Sequence, residues 1–168
     1  MAAYSLNFVV MSVDKERYQR HLNIPGFGEA QQTALKEASV LVVGAGGLGC
    51  PLLQYLAAGG VGRLGIVDGD NIERSNLQRQ VLFNEADLGK SKAGIAAERL
   101  RLMNSELNVE IFNEMLTQEN AKDIISDFDL VCDGTDNFET RYLVNDTCVE
   151  LGKVNVHGSV SRFEGQIS

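Results

Sequence analysis

The chain has 168 residues, 44% hydrophobic and 23% charged, with only 2 prolines, which fits one folded domain with a real core and excludes extended disorder. Its net charge of -8 argues against broad binding to nucleic acid or anionic membranes, and no apolar run reaches the roughly 20 residues of a membrane span. Cys50, Cys132 and Cys148 form no CxxC pair, which gives no support for zinc, and an odd number opposes a disulfide framework; they read as buried thiols in a reducing, cytoplasmic compartment.

Met1–Val10 is mildly apolar but lacks the basic start and cleavage site of a leader, so residues 1–13 read as an N-terminal extension. Asp14–Leu22 is charged and helix-compatible, and Pro25-Gly26 breaks it. Gly28–Ala38 reads as a helix. Val40–Val43 is a buried strand, followed by a glycine loop and a helix over Leu48–Ala58 that Gly59-Gly60 ends. Leu64–Val67 is the next strand, closed by Asp68, and Asn71–Gln80 is polar and irregular. Ala93, Ala96, Ala97, Leu100 and Met103 recur at helical spacing within Lys90–Asn104. Val109–Phe112 is a strand, Gln118–Ser126 a helix capped by Thr117, and Leu130–Cys132 a strand ending at Asp133. Phe138–Leu151 is a helix and Val154–His157 a strand, while Arg162–Ser168 reads as a strand that has only begun. Strands alternating with helices predict an α/β, Rossmann-like fold: a mostly parallel sheet with helices on both faces, ligands bound at the carboxyl ends of the strands.

Three of four candidate constellations fall at those ends. Gly44-x-Gly46-x-x-Gly49 follows a strand and opens a helix, a context for holding a nucleotide at free backbone N–H groups, although tight packing alone also uses such glycines. Asp68 is placed to accept hydrogen bonds from ribose hydroxyls, or is simply a solvated strand end. Ser75-Asn76-Leu77-Gln78-Arg79-Gln80 is a dense polar patch in which Arg79 offers a donor fork to phosphate, with Lys92 as a compact second charge; a solvated loop and helix face is the alternative. In Asp133-Gly134-Thr135-Asp136-Asn137, Asp136 can hold Mg²⁺ through oxygen, or cap the helix at Phe138 in a box with Glu139. His21 and His157 show no partner at ligand spacing and read as packing or surface residues.

Taken together, Glu16-Arg17-Tyr18-Gln19-Arg20-His21, VLVVGAGGLGCP from Val40, IVDGD from Ile66, SNLQRQ, GKSKA, the DGTDN run and Arg162-Phe163-Glu164-Gly165-Gln166 resemble the ThiF/MoeB/HesA family, relatives of the ubiquitin-activating enzymes. The resemblance runs from about Asp14 to Ser168, which we take as one ATP-binding adenylyltransferase domain. It implies that the C-terminal glycine of a ubiquitin-like sulfur carrier ending in Gly-Gly, of thiamine or molybdopterin synthesis, attacks the α-phosphate of ATP and releases pyrophosphate. By position, Gly44, Gly46, Gly47, Gly49, Asp68, Asp70, Ser75, Gln80, Thr135 and Asn137 are expected around the nucleotide. Asn76, Arg79 and Lys92 are expected on the phosphates, Asp136 on Mg²⁺, and Arg20 reaching the partner's site in a homodimer. Family members continue with two CxxC zinc pairs; the chain is therefore expected to be the N-terminal part of such an enzyme, not fully active alone, with zinc only in the portion beyond it. The alternatives are an ATP-dependent dehydratase of a modified tRNA base, an NAD-dependent oxidoreductase, and a non-catalytic module.

Overall fold

The computed structural model describes residues 13–168, so all of the expected N-terminal extension except Val13 lies outside the described residues. A six-stranded sheet has the order β3-β2-β1-β4-β5-β6. Its strands are β1 Ser39–Val43, β2 Arg63–Val67, β3 Asn108–Phe112, β4 Leu130–Asp133, β5 Val154–Ser161 and β6 Glu164–Ile167. All neighbours are parallel except β5 and β6. The helices are α1 Gln19–Leu22, α2 Glu29–Glu37, α3 Gly49–Gly59, α4 Lys92–Met103, α5 Ala121–Ser126 and α6 Phe138–Leu151. The sheet is thus the mostly parallel, Rossmann-like α/β sheet that the sequence predicts.

Val40–Val43 of β1 is buried and apolar throughout because both sheet faces are covered. Val40 and Val42 pack with Leu53 and Ala57 of α3 and Ala93, Ala96, Ala97 and Leu100 of α4. Leu41 and Val43, pointing the other way, pack with Ile124 and Ile125 of α5 and Val144 and Cys148 of α6. Met103, expected on the buried stripe of α4, is instead 37% exposed at the helix end. Among the described residues no helix is long and apolar enough to cross a membrane.

The chain packs as two units, one up to Ala34 and one over Leu35–Ser168. In the first, the expected helix over Asp14–Leu22 forms only at Gln19–Leu22. Asp14 instead builds a turn, its Oδ1 accepting from Arg17 N at 3.0 Å and its carbonyl from Tyr18 N at 3.0 Å. His21 is not partnerless: its ring lies 2.8 Å from Gln32 Oε1 and stacks on Tyr18.

Three boundaries in the second unit differ from expectation. Thr117 does not cap α5: Asn120 Oδ1 accepts from Thr117 N at 2.7 Å, closing a turn, and the helix starts only at Ala121. β5 runs on past His157 to Ser161. Arg162–Ser168 is not an unpaired beginning; Arg162 turns at φ 56° and β6 returns antiparallel along β5. The pairing closes with His157 and Ser168, which exchange backbone hydrogen bonds of 2.8 and 3.0 Å.

Candidate active site

The strand order reverses between β1 and β4, the topological switch point at which doubly wound sheets open a crevice. Two loops leave the carboxyl ends of these strands there. Gly44 takes φ 91°, a backbone that side chains disfavour, and turns the chain back beside Gly134. Gly49 then brings α3 so close that a Cβ would lie 1.8 Å from the Gly44 carbonyl oxygen. The start of α3 and its dipole therefore open onto the crevice.

The crevice is a cleft of about 660 Å³. It gathers Gly44, Gly46, Gly47, Asp68, Asp70, Asn76, Arg79, Gln80, Lys92, Thr135, Asp136 and Asn137 of the expected residues. Gly49 is buried against Gly44 and Ser75 is exposed, and neither lines the cleft; Arg20 is exposed on α1, in the other unit.

Local hydrogen bonds fix several of these groups. Asp68, buried at the end of β2, accepts from Ala45 N at 2.8 Å and from Asp70 N at 2.9 Å, leaving one lone pair on each oxygen for a ligand. Burial pushes its carboxyl above the ordinary carboxylate range, against the pull of those N–H bonds and of Lys92. The Asp70–Ile72 backbone runs beside Gly89–Lys92, with Lys92 N donating to Asp70 O at 3.0 Å. That pairing lays Lys92 Nζ 2.7 Å from Asp70 Oδ2. The Lys92 side chain is 8% exposed, so it is not the solvated helix face that its sequence position also allows. Asn76 Oδ1 caps Glu73 N at 3.0 Å, which leaves its amide NH₂ as the donor end. Arg79 is exposed, with Nη1 3.1 Å from Ser75 O. Gln80 is buried, and its Oε1 has no hydrogen-bond partner among the described residues, an unsatisfied acceptor in the cleft wall.

The helix cap falls one residue later than the sequence suggests. Asn137 Oδ1, not Asp136, accepts from Thr140 N at 2.8 Å. Asp136 is thereby released from capping; it is exposed on the cleft, and no hydrogen bond or ion pair engages its carboxylate among the described residues. Asp133 is buried and accepts from Thr135 N at 2.9 Å and Thr135 Oγ1 at 2.7 Å. His157 is not partnerless either, for its Nδ1 lies 2.9 Å from Asp133 Oδ2.

Sequence reasoning missed Arg141, which lines the cleft and clamps Thr135 O with Nε at 3.1 Å and Nη2 at 2.9 Å. Its position one turn into α6, on the DGTDN side, was the available signal. It also missed Glu114, Met115 and Leu116, which carry no motif and are marked only by following the carboxyl end of β3. The three cysteines are buried and free. Burial pushes Cys50 and Cys132 from the ordinary 9.0 to about 11. At pH 8 we expect neither to react with a thiol reagent until the protein unfolds, which a titration with and without denaturant checks. Each also favours the folded state below pH 9 and loses that contribution as pH rises toward 11, because the unfolded thiol releases its proton first.

A family model described as the ThiF family matches residues 18–168. The chain belongs to the ThiF family. This ThiF-family chain is 52% identical over 153 residues to the sulfur carrier protein adenylyltransferase of Thermus thermophilus, covering 91% of this chain and 56% of that protein. It is 53% identical over 152 residues to the adenylyltransferase and sulfurtransferase MOCS3 of Mus musculus, covering 90% of this chain and 33% of that protein. The chain thus spans 56% and 33% of the length of these relatives. Its fold is similar to the crystal structure of the E. coli tRNA N6-threonylcarbamoyladenosine dehydratase in complex with ATP, with a TM-score of 0.83 at 26% identity over 89% of this chain and 63% of that one.

Proposed function

We propose that this ThiF-family chain carries the ATP-binding part of a cytoplasmic adenylyltransferase that activates the C-terminal glycine of a ubiquitin-like sulfur carrier. The observation that carries the proposal is the grouping of a buried Lys92, Arg79, Asn76 and an unengaged Asp136 around one cleft at the sheet's switch point. An NAD site of the same fold has no need for that density of phosphate-directed donors. The relatives named as adenylyltransferases support the same reading.

The carrier's terminal carboxylate, with an ordinary pKa of about 3.5, is ionised at neutral pH and needs no general base. Its oxygen bonds to the α-phosphorus, and the bond from that phosphorus to the bridging oxygen of the β-phosphate breaks, giving acyl-adenylate and pyrophosphate. The protein's part is to place the two reactants and stabilise charge on the phosphate oxygens. Asp68 orients the ribose. Asn76 NH₂, the Arg79 fork and Lys92 Nζ donate to the phosphates.

The cleft fits Mg²⁺, which typically uses one or two carboxylates and takes its other ligands from phosphate and water. Asp136 is such a carboxylate, exposed on the cleft with no hydrogen bond or ion pair to it among the described residues, whereas Asp68 accepts from two backbone N–H groups and Asp70 is paired with Lys92. When bound, the ion neutralises phosphate charge. Arg20 serves the partner's site in a homodimer.

The test is exchange of labelled pyrophosphate into ATP with Mg²⁺ and a carrier ending in Gly-Gly, using the chain within its full-length protein. Exchange that falls at least tenfold in Arg79→Ala is expected; no carrier-dependent exchange sinks the reading. The likeness to the tRNA dehydratase supports a second reading, dehydration of a modified tRNA base. A tRNA mobility shift with the same protein discriminates, and the acidic charge of -8 weighs against it.

A further inference from the structure

The Asp136 loop is supported by a chain of side-chain contacts that runs through the sheet to the β5–β6 hairpin. His157 stands directly across from Asp133 in the β4–β5 register. Its Nδ1 is 2.9 Å from Asp133 Oδ2, and the Asp133 side chain is 1% exposed. A carboxylate so buried needs donors, because water cannot supply them. Thr135 supplies two, both to Oδ1, and His157 supplies the one to Oδ2. Since the carboxylate only accepts, the imidazole donates through Nδ1–H. Thr135 is held from the other side by Arg141, through its carbonyl. Asp136 is the next residue.

His157 is itself well fixed. Its strand pairs with β4 on one side, and on the other its N–H and C=O both bond to Ser168. The hairpin therefore holds the ring against Asp133.

We infer that His157 is a positioning residue: through Asp133 and Thr135 it sets the direction of the Asp136 carboxylate toward the Mg²⁺ of a bound MgATP. The inference rests on the function proposed above. It makes no contact between His157 and substrate, and since His157 acts on Asp136 through Asp133 and Thr135, its removal is expected to change Mg²⁺ affinity by no more than about tenfold, the low end of what direct partners of a metal ligand give.

The experiment compares wild type, His157→Ala and His157→Asn in the full-length protein. Asparagine is the rescue variant, because its amide can donate from near the position of Nδ1. Two readouts are taken: the Mg²⁺ concentration for half-maximal pyrophosphate exchange, and the gain in melting temperature that ATP with Mg²⁺ gives over ATP alone. His157→Ala is expected to raise the Mg²⁺ midpoint by about 3–10-fold and to reduce the Mg²⁺-dependent melting gain, while His157→Asn recovers both. A lower melting temperature with an unchanged Mg²⁺ midpoint and an unchanged Mg²⁺-dependent gain marks a merely structural role and overturns the inference. If His157→Ala does not fold, Thr135→Val breaks the same chain by removing the 2.7 Å hydroxyl bond to Asp133, and wild-type values for it overturn the inference equally. The melting readout needs no carrier. A wild type that exchanges nothing but shows the Mg²⁺-dependent gain removes the proposed reaction and still leaves His157 open to the comparison.

Discussion

Replacing Lys92 by methionine is expected to slow pyrophosphate exchange by about 10²–10³ while the protein stays folded. The methylene stem of Lys92 is buried at the start of α4, and methionine fills most of that space without the charge. The partner left behind, Asp70, is 52% exposed, so water resolvates its carboxylate and the lost ion pair costs little stability. Catalysis has no such substitute. A cation held 2.7 Å from Asp70 inside a cleft is already oriented before the phosphate charge develops, and solvent at the same place is not. Asp68 is affected too, because Lys92 is one of the groups that hold its raised pKa down; without it the carboxyl moves further up. Exchange kinetics and a thermal melt of Lys92→Met check both halves. Wild-type exchange in that variant removes Lys92 from the phosphate site; a collapsed melt shows that the ammonium is needed for folding instead.

Gly49→Ala and Gly59→Ala are expected to have opposite effects, although both lie in α3. At Gly49 the new methyl meets Gly44 O at 1.8 Å and Gly44 C at 2.9 Å. Both are backbone atoms of a turn that is held at φ 91°, so relief requires moving the helix off the strand. A loss of about 3–5 kcal/mol is expected, at the upper end of single substitutions, together with loss of the melting gain from ATP. At Gly59 a methyl meets nothing within 4 Å and φ is not positive. There alanine should be neutral or add up to about 1 kcal/mol by restricting the unfolded chain. Denaturant melts of the two variants are sufficient. Equal effects would mean that the tight approach of α3 to the Gly44 turn is not what the glycine is for.

The glycine spacing is visible in the sequence, and so is the apolar run before it, because a strand covered on both faces must be apolar at every position. For the same reason β2 and β4 were legible, as was α6, whose bounds Phe138–Leu151 are those the sequence gives. Motifs at strand ends could be placed on one sheet edge from alternation alone. Lys92 was legible as a residue but not as an environment: its position fits a solvated helix face and a buried ammonium equally well, and the backbone pairing of Asp70–Ile72 with Gly89–Lys92 decides between them.

What the sequence determined by itself were the features fixed by neighbours in the chain: apolar runs, helical periodicity, glycine and proline punctuation, and from these the parallel α/β sheet with a nucleotide-type loop at its edge. Its errors were of two kinds. Short-range choices at helix starts went wrong at Thr117, where α5 begins only at Ala121 with no side-chain cap, and at Asp136, where Asn137 caps α6 instead. Long-range partnerships were invisible. Asp133 and His157 meet only because β4 and β5 pair in one register, and β6 exists as a strand only because β5 continues far enough to receive it. A strand edge is completed by whatever segment the fold brings beside it, and a buried carboxylate by whatever donor lies opposite. Neither is written near the residue it serves, so tertiary structure alone decided that His157 stands behind the loop that carries Asp136.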